Sequence, residues 1–312
     1  MFKDGVNGDM RLVADIGGTN ARLALARDGS LVSGTSQSFR NADHPGFAQL
    51  AAEYLSRIGA DGLESMVVAV AGPVGAGEAR LTNHDWTLDA ANLSESFNGA
   101  KVALLNDLAA LGYALPSLSA DGLSTVTPGS EGAPRHGQAL VAGIGTGFNV
   151  CSVLLRDGET ALCMKAEYGH VSLPGAVGRV LRDRIGPAAE KFATVEDCFS
   201  GVGVSALYGI FADRSGVSPE EALSGTPPES SDFSDFYAGL VGHLARDLRM
   251  AFMPEAGIYF AGSVARAVLS GPAAERFATV HSAPTEVRLP AMAGVRLILD
   301  DGAALKGCAA YG

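Results

Sequence analysis

The residues of this sequence that could do chemistry fall in a few short stretches. Asp15-Ile16-Gly17-Gly18-Thr19-Asn20 and Gly143-Ile144-Gly145-Thr146-Gly147 each carry an apolar run into glycines and a hydroxyl. Glycine lets backbone N–H groups approach an anion with no Cβ in the way, and Thr19 and Thr146 add hydroxyl donors. Asp15, beside the first turn, is placed to orient Mg²⁺ through water, because Mg²⁺ keeps several of its waters. The plainer reading is an Asp making a turn next to glycine. Leu105-Asn106-Asp107 ends a strand and opens a helix at Leu108. At the carboxyl edge of a sheet Asp107 could accept a hydroxyl proton and Asn106 could hold a neighbouring hydroxyl, yet both residue types also cap helices. Glu167-Tyr168-Gly169-His170 sets a carboxylate and an imidazole in a glycine-bearing loop, which suits a hydroxyl-rich ligand. Glu196 reads on its own as a solvated helix charge. Gly257 to Val264, an apolar strand running into Gly262 and Ser263, leaves room for an adenine or ribose, or is tight strand-to-helix packing.

Most of these residues sit at the ends of predicted strands. The first glycine stretch returns in the second at a constant offset of 128 (140 − 12 and 145 − 17), and each is followed by a second apolar run closed by Asp-Gly, at Asp28-Gly29 and Asp157-Gly158. That pattern is a β-hairpin with a bare tip, once in each half. The first half reads as strands Arg11 to Gly17, Ala21 to Arg27 and Leu31 to Phe39, a helix Gly46 to Ile58, strands Met66 to Ala71 and Lys101 to Leu105, and a helix from Leu108. The second half reads as strands Ala139 to Ile144, Asn149 to Leu155 and Ala161 to Lys165. Helices follow around Val177 to Arg184, Gly203 to Asp213 and Asp232 to Phe252, then strands Gly257 to Phe260 and Val295 to Leu299 and a last helix, Gly302 to Ala310. Antiparallel strands followed by strand–helix alternation predict an α/β chain of two mixed sheets. Pro116 to Arg135 and Leu223 to Ser231 read as loops.

With 312 residues and 47% hydrophobic content the chain can build two cores. A net charge of −11 without a Lys/Arg cluster argues against a nucleic-acid or anionic-membrane partner and for a small molecule. Met1 to Arg11 lacks the apolar core of a signal peptide, and no apolar stretch approaches the roughly 18 residues of a membrane span, so the expectation is a cytoplasmic protein. Cys151, Cys163, Cys198 and Cys308 have no C-x-x-C spacing and read as reduced core thiols. No Gly-Lys-Ser/Thr ends a P-loop, and Phe148 stands where the dinucleotide fingerprint needs its last glycine.

In this order the stretches resemble the actin, heat-shock chaperone and sugar-kinase superfamily, and within it the bacterial glucokinases that lack the zinc-binding ROK signature. The resemblance runs from about Leu12 to the C-terminal helix. Asp15 to Asn20 is similar to the family's first phosphate motif, Gly143 to Gly147 to its second and Gly257 to Gly262 to its adenosine motif. Val67 to Pro73 and Gly302 to Ala309 are similar to its connecting segments, and Thr82-Asn83-His84-Asp85-Trp86 to its sugar-facing segment. The resemblance implies two ribonuclease-H-like (actin-like ATPase) domains with a cleft between them: residues 1–110 plus 300–312, and 111–299. It implies that ATP and Mg²⁺ serve phosphoryl transfer to the 6-hydroxyl of glucose. Asp107 would then be the base, and Asn83, Asn106, Glu167, His170 and Glu196 would bind the sugar. Asp15, Gly17, Gly18, Thr19, Asn20, Gly145, Thr146, Gly147 and Gly262 would hold the nucleotide, with Asp15 orienting Mg²⁺ through water. A kinase for another hexose, or a non-catalytic sugar sensor, is the alternative, and a homodimer is left open. Ser263, in place of the adenosine motif's second glycine, and Phe148-Asn149, in place of a small pair, depart from the pattern on the nucleotide side.

Overall fold

The computed structural model describes residues 10–60, 62–81, 85–130, 136–226, 228–285, 287 and 293–312. The chain divides into two compact units. Met1–Leu118, Gly158–Ala161 and Asp301–Gly312 form the first, and Ser119–Asp157 and Leu162–Asp300 the second. The first unit holds β1 (Arg11–Ile16), β2 (Asn20–Arg27), β3 (Ser30–Leu31), β4 (Gln37–Arg40), α1 (Phe47–Ile58), β5 (Ser65–Val70), β6 (Glu78–Arg80), β7 (Thr87–Asp89), α2 (Ala90–Ser96), β8 (Lys101–Asn106) and α3 (Asp107–Ala114). The second holds β9 (Leu123–Thr127), β10 (Gln138–Ile144), β11 (Phe148–Leu154), β12 (Leu162–Lys165), α4 (Gly175–Ile185), α5 (Val195–Phe199), α6 (Gly201–Ala212), α7 (Pro219–Ala222), α8 (Pro228–Phe252), β13 (Gly257–Ala261), α9 (Ser263–Leu269), α10 (Ala274–His281) and β14 (Val295–Ile298). The last helix, α11 (Ala303–Ala310), belongs to the first unit again. The helix α3 runs across the expected boundary at 110/111 and lies whole in the first unit.

The first sheet runs β3-β2-β1-β5-β8, with β4 also on β2, and β1 is antiparallel to β2 but parallel to β5. Leu12, Val13, Ala14 and Ile16 are fully buried, because helices cover both faces of this central strand. On one face α1 lays down Phe47, Leu50, Ala51 and Tyr54, spaced i, i+3, i+4 and i+7. On the other, Ala304, Leu305, Cys308 and Ala309 of α11 pack with Ala110 of α3 against Val13, Val67 and Ala69. These small residues permit close approach, and a Cβ at Gly307 would overlap the Ala110 carbonyl.

Parallel pairing aligns Ile16 with Val70 and Val70 with Asn106, so β1, β5 and β8 all end at one edge of the sheet. The expected strand Leu31 to Phe39 is instead two short pieces, β3 and β4. Between them Thr35 Oγ1 takes the Leu25 N–H at 3.1 Å in place of a ladder carbonyl, and Gly34 adopts φ +77°.

The second sheet repeats the plan as β12-β11-β10-β13-β14-β9. Its added edge strand, β9, lies inside the expected loop Pro116 to Arg135; pairing with β14 (Leu123 with Ile298, Thr127 with Val295) recruits it. The helix α8 starts at Pro228, inside the expected loop Leu223 to Ser231, and proline is tolerated at a first helical turn because its missing N–H has no partner there anyway.

The two hairpins differ at their tips. Ile16 pairs with Ala21, but Ile144 pairs with Phe148, so the offset falls from 128 to 127 across the turn (148 − 21). One residue fewer puts Phe148 where Ala21 would stand. Phe148 is 3% exposed and meets Phe199 at 6.1 Å between ring centroids. Asn149 then stands opposite Gly143, in the place that Arg22 occupies opposite Asp15.

Candidate active site

In the first unit the site begins at the shared strand ends. Asp15, one residue from the end of β1, faces Arg22 across the hairpin at 3.9 Å. Burial raises its carboxyl pKa, and the Arg22 charge opposes that shift. The glycine turn beyond it is held by Gly17 N–H donating to the Asn20 carbonyl (2.9 Å) and by Asn41, whose Nδ2 donates to the Gly17 carbonyl (2.8 Å) and whose N–H donates to the Thr19 carbonyl (2.9 Å). Asn41 is fully buried and no local motif announced it. Thr19 and Asn20 remain exposed at the tip, and Gly18 is half-buried.

Asn106 and Asp107, whose capping and chemical readings were equal in the sequence, separate in the structure. Asn106 is the N-cap of α3: its Oδ1 accepts the Leu108 N–H at 3.0 Å and its Nδ2 donates to the Gly72 carbonyl at 3.2 Å. Asp107 is already helical and accepts the same N–H at 2.9 Å, a second acceptor where one suffices. Burial, reinforced by the nearby Asp15 charge, pushes its carboxyl up to about 6. A carboxylate poised near neutrality at a sheet edge is suited to take a proton.

In the second unit Glu167 leads from β12 into a tight turn, Tyr168–His170. Asn149 Nδ2 donates to Glu167 Oε2 at 3.1 Å, and its Oδ1 accepts the Tyr168 N–H at 2.9 Å and the Val150 N–H at 2.8 Å. The departure at Asn149 therefore ties β11 to the Glu167 loop. Glu196 is no free helix-surface charge. In the first turn of α5, its Oε2 accepts the Phe148 N–H at 3.2 Å across 48 residues. It lies against the second glycine turn and the Glu167 loop together, since a Cβ on Gly147 would stand 3.3 Å from Oε2 and a Cβ on Gly169 2.8 Å from it. Its neighbour Asp197 closes a capping box with Thr194, and those hydrogen bonds, with a smaller contribution from the nearby His170, lower the Asp197 pKa. His170 itself is exposed.

Gly145 N–H donates to the Gly147 carbonyl at 3.0 Å and its own carbonyl accepts the Gly201 N–H at 2.8 Å, leaving Thr146 exposed at the tip. The end of β13 abuts this turn: Gly262 adopts φ +99° and a Cβ there would overlap the Ile144 carbonyl. Ser263 is the exposed first residue of α9, so the second glycine of that motif has no equivalent demand on it here. Asn83 lies outside the described residues; Trp86, from the same segment, is buried in the first core.

The model of the glucokinase family matches residues 12–312. The chain belongs to the glucokinase family. It is 38% identical over 231 residues to a glucokinase of Pseudomonas paraeruginosa, an alignment covering 71% of this chain and 65% of that relative. To a glucokinase of Saccharophagus degradans it is 30% identical over 268 residues, 81% of this chain and 82% of the relative. The crystal structure of a glucokinase from an Antarctic psychrotroph superposes with a TM-score of 0.76 at 25% identity, covering 97% and 98% of the two chains. The fold is accordingly the actin-like ATPase fold of the sugar kinases, with a ribonuclease-H-like sheet in each unit. Among the described residues no helix is long and apolar enough to cross a membrane.

Proposed function

We propose that this member of the glucokinase family transfers the γ-phosphoryl group of ATP to the 6-hydroxyl of glucose, with Asp107 taking the hydroxyl proton. The observation that carries the reading is the half-buried Asp107 carboxyl at the carboxyl edge of the first sheet, raised to about 6 by desolvation and by the neighbouring Asp15. In this reading the turns Gly17–Asn20 and Gly145–Gly147 offer N–H groups and the Thr19 and Thr146 hydroxyls to the phosphates, and Gly262 gives the nucleoside clearance. Asn83, Asn106, Glu167, His170 and Glu196 hold sugar hydroxyls, with Asn149 orienting Glu167. Asp15 suits Mg²⁺ as an oxygen donor acting through water: burial disfavours the charge on both Asp15 and Asp107, and a cation beside them relieves that cost. When bound, the ion would neutralise charge on the transferring phosphoryl, while the protein supplies mostly positioning. A cytoplasmic setting fits the four free cysteines, although Cys163 is half-buried and not a core thiol.

A coupled assay with MgATP and glucose, fructose, mannose or N-acetylglucosamine tests the substrate. Glucose is expected to give the highest kcat/KM; a tenfold preference for fructose or N-acetylglucosamine would replace it as the substrate. The assay also examines Glu167. A site built to bond a hydroxyl pays for an unmade bond with an unpaired polar group. Glu167→Ala is therefore expected to raise the KM for glucose far more than that for ATP, and Asn149→Ala to do the same more weakly. A lowered melting temperature with unchanged kinetics in both variants would mark the pair as a structural contact alone.

A further inference from the structure

The edge of the first sheet opposite Asp15 and Asn106 holds a cavity of about 220 Å³. Its walls are strand ends: Arg11 opens β1, Arg27 closes β2, Ser65 opens β5 and Lys101 opens β8, and register places Arg11 beside Ser65 and Ser65 beside Lys101. Three cations in one pocket run against the grain of a chain with net charge −11.

The three cations differ in how they are used. Arg11 is committed to the fold, donating to Ser65 Oγ at 3.2 Å, to the Ala309 carbonyl at 3.0 Å and to the Tyr311 carbonyl at the end of α11. Lys101 is exposed at the rim. Arg27 is half-buried, and its Nε is buried with no hydrogen-bond partner among the described residues. The Arg27 side chain lines the cavity, and a guanidinium offers its outer N–H donors to an acceptor that enters from outside. A phosphate oxygen is the acceptor a guanidinium fork matches best, and an ammonium adds a point charge to it. Asp28 and Glu64 also line the cavity. Acceptor-only carboxylates repel a bare anion but receive hydrogen bonds from hydroxyls. At roughly 30 Å³ per water the volume equals about seven waters, which admits a phosphate with a hydroxylated carbon chain.

We propose that this cavity is a second ligand site, distinct from the candidate active site and at the far end of the same strands, that binds a phosphate monoester carrying hydroxyl groups. Arg27 and Lys101 hold the phosphate, and Asp28 and Glu64 receive the hydroxyls. The phosphate could come from free inorganic phosphate or from a sugar phosphate, and the carboxylates favour the sugar phosphate.

The test is calorimetric titration of the full chain, first saturated with glucose and AMPPNP so that the candidate active site is filled, with glucose 6-phosphate and separately with inorganic phosphate. Glucose 6-phosphate is expected to bind at one site per chain, at least tenfold more tightly than inorganic phosphate. Arg27→Met and Lys101→Met should each weaken it at least tenfold. Arg27→Met removes an unpartnered head and keeps the stem, so it should melt no lower than the parent, and glucose 6-phosphate should raise the melting temperature of the saturated parent but not of this variant. No binding to the saturated parent, or binding that both substitutions leave intact, would overturn the site; equal affinity for inorganic phosphate would overturn its assignment to a hydroxylated ester. Failure of the chain to bind glucose and AMPPNP at the outset would count against the kinase reading instead, and the cavity would then be titrated without them.

Discussion

Asp107→Asn is expected to lower turnover by about 10² to 10⁴ while glucose still binds. The substitution keeps the shape and removes the basicity. Capping does not confound the result, because Asn106 already accepts the Leu108 N–H. Two pH measurements sharpen the test. A base works when deprotonated, so parent kcat/KM should fall as pH drops through about 6, the value to which burial and Asp15 push this carboxyl. The stability effect has the opposite sign. A folded pKa raised from 3.8 to about 6 means that the fold prefers the proton, so the stability Asp107 contributes is present below about 4 and lost as pH rises to about 6. Above pH 6 the Asn variant, which carries no charge at position 107, should melt higher than the parent. Near-normal turnover in Asp107→Asn, with an unchanged acid limb, would remove the base assignment.

Gly145→Val is expected to raise the apparent ATP requirement on the order of 10²-fold, the scale of displacing reacting groups by about an ångström. Its effect is separable from folding. A Cβ built on Gly145 has Gly262 Cα as its nearest neighbour, at 3.9 Å, an ordinary contact, and the residue is not held at positive φ. A Cβ at this position therefore meets no clash within the hairpin, and the bulk it carries obstructs what approaches the turn. Gly262 is the contrasting position, since positive φ and overlap with the Ile144 carbonyl make any side chain there a folding defect first. Calorimetry on Gly145→Val should show glucose affinity nearly unchanged in the nucleotide-free protein. Lost sugar binding with retained nucleotide binding would assign this turn to the other ligand.

Much of this was legible because its causes are local. Glycine followed by a hydroxyl residue at the end of an apolar run specifies a turn within a few residues, so the duplicated hairpins, the strands entering them and the parallel strands β5, β8 and β13 could be read from the chain alone. The candidate residues Asp15, Asp107, Glu167 and Gly262 stood out for the same reason: each sits where one element ends. What needed tertiary structure rests on contacts distant in sequence. Glu196 reads as a solvated charge until α5 brings it against Phe148, 48 residues earlier. Asn149 reads as an irregularity until the shortened turn places it beside Glu167, and Asn41 carries no signal until its carboxamide meets the first glycine turn, 24 residues away. The strand β9 is a short mixed run, Leu123 to Thr127, inside a stretch rich in Ser, Gly and Pro, and its ladder forms on the edge that β14 offers. Asn106 and Asp107 are equal candidates for one cap until α3 starts at Asp107 and not one residue later, and burial then makes the carboxylate, but not the amide, responsive to Asp15. Sequence spacing sets which groups can reach a strand end; desolvation and partners from other elements set their charge and their role, and those are properties of the assembled fold.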